Sequence, residues 1–224
     1  MPSSPHKLDT FTQRVVTQAG LVATFASTPA LMQMPSYVAG NWVALSTMGA
    51  TGGASGGQTG WIKLFPFILR QQLTISQLGL NITTADAGGN VAMALYTVDT
   101  SMLPTNLVDN TGALSTASTG PVSGALGSNQ QLPPGLYWAA SMIDNTTAQY
   151  TSILTSTNAG MSPLFLAIGD SSLASLFKGG NQHTGFIYSN VFGAWPAAIT
   201  HANLAAWGDG SDIPSMAALV ASVP

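Results

Sequence analysis

The chain has 224 residues, 46% of them hydrophobic and only 6% charged, with a formal net charge of −3 and no cysteine. That is enough chain for one large β domain with extensions, and enough apolar side chain for a buried core. The five basic residues (Lys7, Arg14, Lys63, Arg70, Lys178) are too scattered to track phosphates, thiol chemistry is excluded, and no run reaches the roughly 20 apolar residues of a membrane-spanning helix.

The charged fraction stands far below the usual value of about 25%. All eight acidic residues are Asp; Glu does not occur. Ser, Thr, Asn, Gln and Gly must therefore make a polar but neutral surface. Such a surface has little colloidal repulsion, which implies that it is covered by copies of itself or by a larger assembly.

Residues 1–34 read as an N-terminal arm. Residues 15–26 partly resemble a secretory leader, but Thr17, Gln18 and Thr24 interrupt the apolar run. Short β-prone pieces around Phe11, Val15, Val16 and Phe25 suit an arm that adds to a neighbour's sheet edge. Residues 37–46 read as a first strand and residues 48–60 as a Gly/Ser/Thr loop. Residues 61–69 read as a strand that Pro66 confines to an edge or a bulge.

Residues 73–84 alternate, but with a change of phase. Leu73 and Ile75 share one face; Leu78, Leu80 and Ile82 share the next, so a β-bulge is predicted near Gln77. Gly88-Gly89-Asn90 reads as a tight turn. Residues 91–98 are apolar on both faces, with Val91, Met93 and Leu95 on one and Ala92, Ala94, Tyr96 and Val98 on the other, so this strand is expected to be central. Residues 136–143 have the same character. Residues 149–154 and 184–192 read as further strands, and residues 161–178 are expected to hold a short helix. Strands about ten residues apart, with Gly, Pro and Asn between them, predict an all-β antiparallel sandwich of jelly-roll or Greek-key type. The domain plan is an arm (1–34), a sandwich (35–158) and an irregular extension (159–224) that packs on the sandwich or on a neighbouring subunit.

Candidate chemistry is sparse. Gly53-Ala54-Ser55-Gly56-Gly57 has the spacing of a nucleophile elbow, but such an elbow needs a strand before it and a helix after it, and the flanks here are low-complexity loop. His6, His183 and His201 lie far apart with no ligand spacing. His201 with Asp209 or Asp212 would form part of a triad that has no elbow serine. The run from Asp209 to Asp212 resembles half of a calcium loop, yet the chain lacks the Glu that closes an EF-hand. No catalytic residue, metal ligand or cofactor site is therefore assigned. Among the aromatics, Trp138 is expected in the core because its flanks are apolar; Trp195 and Trp207 are the candidates for stacking on host glycans.

The central stretch also resembles a module of bacteriophage virion surface proteins, found in head decoration proteins and in tail fibre tips. The resemblance rests on Phe65-Pro66-Phe67, Leu73-Thr74-Ile75, Gly88-Gly89-Asn90-Val91 before Ala94-Leu95-Tyr96, Leu103-Pro104 before Leu107-Val108-Asp109, and residues 132–138. It covers about 90 residues, a pattern of strands and turns with no catalytic signature. It implies a β-sandwich, usually trimeric, without enzymatic activity. The short arm favours the head: a decoration (cement) protein on the capsid surface of a tailed phage. Its expected partners are the major capsid protein and two further copies of itself, with no nucleic acid or membrane. The expected capsid contacts are Phe11, Arg14, Val15, Val16 and Phe25. The alternative is a tail fibre or receptor-binding protein.

Overall fold

Two strands with apolar residues on both faces set the architecture. They are β5 (Asn90–Val98) and β9 (Gly135–Ile143), paired antiparallel from Val91↔Ile143 to Tyr96↔Trp138. A strand buried on both faces must lie inside a sheet that is itself covered on both sides. The computed structural model describes residues 37–45, 51–153, 185–206 and 213–224, and in it both conditions are met. The chain divides into two units, Met1–Ser36 and Tyr37–Pro224; the description concerns the second.

The remaining strands are β1 (Trp42–Ala44), β2 (Thr51–Gly56), β3 (Trp61–Leu69), β4 (Leu73–Thr84), β6 (Pro104–Asn110), β7 (Leu114–Ser115), β8 (Gly120–Leu132), β10 (Gln149–Ile153), β11 (Phe186–Ser189), β12 (Leu204–Ala206), β13 (Ile213–Pro214) and β14 (Ala217–Ser222). They form two antiparallel sheets. The first runs β1-β14-β4-β10-β13, with β8 also on β4 and β2 also on β10; the second runs β12-β11-β3-β9-β5-β6, with β7 also on β5. The protein is an all-β sandwich, as its alternation and turn spacing predict.

The main core lies between the sheets. Phe65, Phe67, Met93, Leu95 and Tyr137 from the second sheet meet Leu73, Ile75, Leu78, Leu80, Ile82 and Tyr150 from the first. The second sheet's other face carries Ile62, Leu64, Ala92, Ala94, Tyr96, Trp138 and Ala140, covered by Phe186, Phe192, Trp195, Ile199 and Leu204. Three alanines on that face leave room for the covering chain to lie close. Tyr96 is fully buried there and donates its hydroxyl to the Pro196 carbonyl at 3.0 Å. Trp138 is 3% exposed, and its indole N–H reaches the Met102 carbonyl at 3.0 Å.

The predicted bulge is present. Ile75 pairs with Val220 and Gln77 with Leu219, so Ser76 has no opposite number on β14, and the register to β8 also shifts between Ile75 and Gln77. Pro66 sits as its missing N–H requires. β11 accompanies β3 only from Trp61 to Leu64, so from Phe65 onward β3 has β9 on one side and, among the described residues, no strand on the other.

Three expectations change. Residues 51–56 form β2, paired with β10, rather than loop, because a sheet edge supplies hydrogen bonds that a Gly-rich sequence does not refuse. The thirteen-residue β8 was hidden by its Gly, Ser, Asn and Gln content. The described part of 159–224 is not irregular throughout. β11 and β12 extend the second sheet, and β14 lies inside the first, between β1 and β4, with Met216, Ala218 and Val220 in the main core. The helix expected at 161–178 lies outside the described residues.

Val220 tests the weight of the C-terminal strand. Val220→Thr keeps shape but puts a hydroxyl into the core, and is expected to cost about 1–3 kcal/mol. The measurement is urea unfolding: the midpoint falls while the slope stays constant. An unchanged midpoint would show that β14 does not contribute to the cooperative core.

Candidate functional site

The outer face of the first sheet carries an open furrow of about 470 Å³. Strand alternation builds it. In residues 41–45, Val43 and Leu45 turn inward, and Leu45 is 2% exposed. Trp42 therefore faces outward, where 45% of its surface remains exposed. On β4 the phase set by the bulge sends Leu78, Leu80 and Ile82 inward and Gly79 and Asn81 outward. Gly79 lies opposite Ala217 on one side and Ser123 on the other; Asn81 lies opposite Pro121.

The floor is consequently made of small residues beside one indole. A Cβ on Gly79 would stand 3.2 Å from Cζ3 of Trp42, so the ring rests against bare backbone. Asn81, Ser123 and Ser215 supply amide and hydroxyl groups, Pro121 and Ala217 supply apolar edges, and none of the lining residues is charged. The Asn81 amide N–H donates to the Thr151 hydroxyl at 2.8 Å, which fixes the orientation of that side chain. A furrow of this kind can hold a flat, uncharged ligand; it has no group suited to proton transfer.

The aromatics named from sequence are placed differently. Trp195 is half-buried, with its ring centroid 6.5 Å from that of Tyr96 and its Nε1 enclosed without a hydrogen-bond partner. It covers the second sheet. Tyr96, Tyr137, Trp138 and Tyr150 are all core residues. Trp207 and the candidate capsid contacts Phe11, Arg14, Val15, Val16 and Phe25 lie outside the described residues. Trp42 was missed because it was read only as part of a strand. The signal was in the alternation: Val43 and Leu45 claim one face and leave the indole on the other.

The elbow spacing at residues 53–57 falls on β2 and its exit, with no helix after it. His201 approaches Asp99: Nδ1 lies 3.6 Å from the carboxylate, and Nε2 lies 2.9 Å from the Pro104 carbonyl; Asp209 and Asp212 lie outside the described residues. Among the described residues, no group of three or more His, Cys, Asp or Glu is arranged to hold a metal ion, and no helix is long and apolar enough to cross a membrane. A small void lies beside Lys63 and Tyr150, where the ammonium donates to the phenol oxygen at 2.7 Å. Its volume of about 10 Å³ gives room for roughly one water.

The carboxylates act as fasteners. Asp109 accepts from the backbone N–H groups of Asn110 and Ser128 and from the Gln130 amide, which ties β6 to the edge strand β8. Asp144 accepts from the backbone and side-chain N–H groups of Asn90 and from Asn145, which joins the end of β9 to the start of β5. Asp99 accepts from the N–H groups of Ser101 and Leu103, and Asp86 from that of Gly88. For Asp109 and Asp144, burial works to raise the pKa, but the donated hydrogen bonds together outweigh it and hold each carboxyl below its ordinary value.

In comparison with known proteins, no family model matches the chain and no curated protein matches its sequence.

The fasteners predict an acid limb of stability. Each folded-state pKa lies below the unfolded value of about 3.9. The contribution is therefore complete above that value and disappears as pH falls through the folded one. Thermal melts between about pH 5 and pH 2 are expected to show a falling Tm that is shallower in an Asp109→Asn, Asp144→Asn double variant. Superimposable acid limbs would remove the two carboxylates from the account.

Proposed function

We propose that the chain is a structural protein of a tailed-bacteriophage virion, a decoration (cement) protein that binds and stabilises the head shell. The observation that carries this reading is what the charges do. The described residues include two basic side chains, Lys63 and Arg70, and four acidic ones, Asp86, Asp99, Asp109 and Asp144. Lys63 is buried, the Arg70 guanidinium lies 5.3 Å from the centre of the Tyr37 ring, and every one of the four carboxylates accepts backbone hydrogen bonds. Charged side chains are few, and so sparse a set gives little repulsion to keep copies apart in solution. A surface of this kind suits a protein fixed in a lattice, and the strand-and-turn resemblance to virion surface modules points the same way.

In this reading the sandwich faces outward as one of three copies, and residues 1–34 hold the major capsid protein through Phe11, Arg14, Val15, Val16 and Phe25. The chain carries out no catalysis. A second reading, a tail fibre or receptor-binding protein, draws its support from the exposed Trp42 and its uncharged furrow.

The test is co-sedimentation of the full-length protein with isolated heads of its phage. Saturable binding is expected, weakened by at least about tenfold when Phe11, Val15 and Phe25 are all changed to Ser, a loss of about 1.4 kcal/mol. Undiminished occupancy would remove the arm from the contact. Detection of the chain in purified tails but not heads would transfer the assignment to the second reading.

A further inference from the structure

None of the residues lining the Trp42 furrow is among the proposed capsid contacts, and what it binds does not depend on whether the chain sits on a head or a tail. We infer that it takes an uncharged oligosaccharide, with the apolar C–H face of one pyranose ring packed on the Trp42 indole.

The geometry is prepared for this. Trp42 is one of few large apolar side chains exposed among the described residues, and Gly79 lets its ring pack close on the sheet: a Cβ there would stand 3.2 Å from Cζ3. A ring already packed against the sheet on one side loses less freedom when a ligand covers the other. The volume, about 470 Å³, falls within the roughly 300–1,000 Å³ of small-ligand sites. The floor belongs to paired strands of one sheet, so it is rigid.

The chemistry selects the ligand. A phosphate, carboxylate or ammonium group would be desolvated in the furrow without a counter-charge, because no lining residue is charged. A purely apolar ligand would cover Asn81, Ser123 and Ser215 and leave their polar atoms unpaired. A neutral sugar meets both conditions, since its hydroxyls both donate and accept while one ring face remains apolar. The Asn81 N–H is engaged by Thr151, which directs the amide carbonyl to act as the acceptor for a sugar hydroxyl.

The test begins with the full-length protein on an array of neutral and acidic oligosaccharides. The best neutral trisaccharide is then titrated while the indole N–H signals are followed by NMR. The Trp42 signal is expected to move, with a Kd near about 1 mM, and sialylated or uronic-acid trisaccharides are expected to bind at least about tenfold more weakly. Trp42→Ala should weaken the neutral sugar by at least about tenfold. Ser123→Lys should do the same from the rim without removing the indole, and it decides the matter if Trp42→Ala does not fold. The inference is overturned if no neutral sugar moves the Trp42 signal at about 10 mM, or if Ser123→Lys folds and binds as the wild type does. It is also overturned if Trp42→Ala abolishes a concentration-dependent self-association, because the face then belongs to a second copy.

Discussion

The structure depends on the need to cover β5 and β9 twice. Their inward side chains, Val91, Met93, Leu95, Tyr137, Ala139 and Ile143, are covered by the first sheet. Their outward side chains, Ala92, Ala94, Tyr96, Trp138, Ala140 and Met142, cannot face water without exposing a broad apolar patch. That second requirement recruits the chain after Gly185. Phe186 packs its ring 5.3 Å from that of Trp138, Trp195 lies over Tyr96, and Ile199 closes beside β6 through its N–H to the Thr105 carbonyl. The same turn of chain shields an edge, since Leu107 donates to the Ala197 carbonyl and Asn106 bridges to Ala198. One demand, burial of both faces of a strand pair, thus places a late part of the sequence on an early part of the fold.

Charge follows a different logic. Most soluble domains use carboxylates and ammonium groups as solvating surface; here Asp109 and Asp144 fasten strands, and Asp86 and Asp99 brace turns. Asp109 draws β8 to β6, and Gly127 opposite it allows the approach, for a Cβ there would stand 3.2 Å from the carboxylate. Asp144 continues the β5–β9 pairing one residue past the Val91↔Ile143 pair, fastening the end of β9 to the start of β5. With so few charged side chains among the described residues, most of the polar groups on their surface belong to Ser, Thr, Asn and Gln. Neutral polar surface is tolerated where neighbours are meant to stay, and the virion reading rests on that consequence.

How much of this the sequence could disclose varied with the strength of each strand's own signal. β3, β4, β5, β9 and β10 are apolar enough to be recognised alone, and the phase change at Gln77 located a bulge within a residue or two. β8 and β2 have no such signal. Val122, Leu126 and Leu132 are the only large apolar residues in thirteen of β8, and its nine partners on β4 make it a strand. β14 was read as tail because its alternation of Met216, Ala218 and Val220 is short, and its place between β1 and β4 is a contact across most of the chain. The site was less legible still. An aromatic in a tail looks available and one in a strand looks buried, yet Trp195 is used as cover and Trp42 stands on the outer face. Which face of an edge strand is wet depends on what packs beneath it, and that is not a local property.

The bulge joins these threads. If β4 ran without the extra residue at Ser76, a strand holding Leu73 and Ile75 inward would also turn Gln77, Gly79 and Asn81 inward, and would expose Leu78, Leu80 and Ile82. The slip keeps five large apolar side chains in one core along a twelve-residue strand. It also places a glycine, rather than a leucine, on the outer face opposite Ala217 and Ser123. A residue without a side chain lets the Trp42 indole pack close against the sheet, since a Cβ there would stand 3.2 Å from Cζ3. The irregularity that preserves the core is therefore what makes the furrow, so core register and outer-surface shape cannot vary independently in this protein.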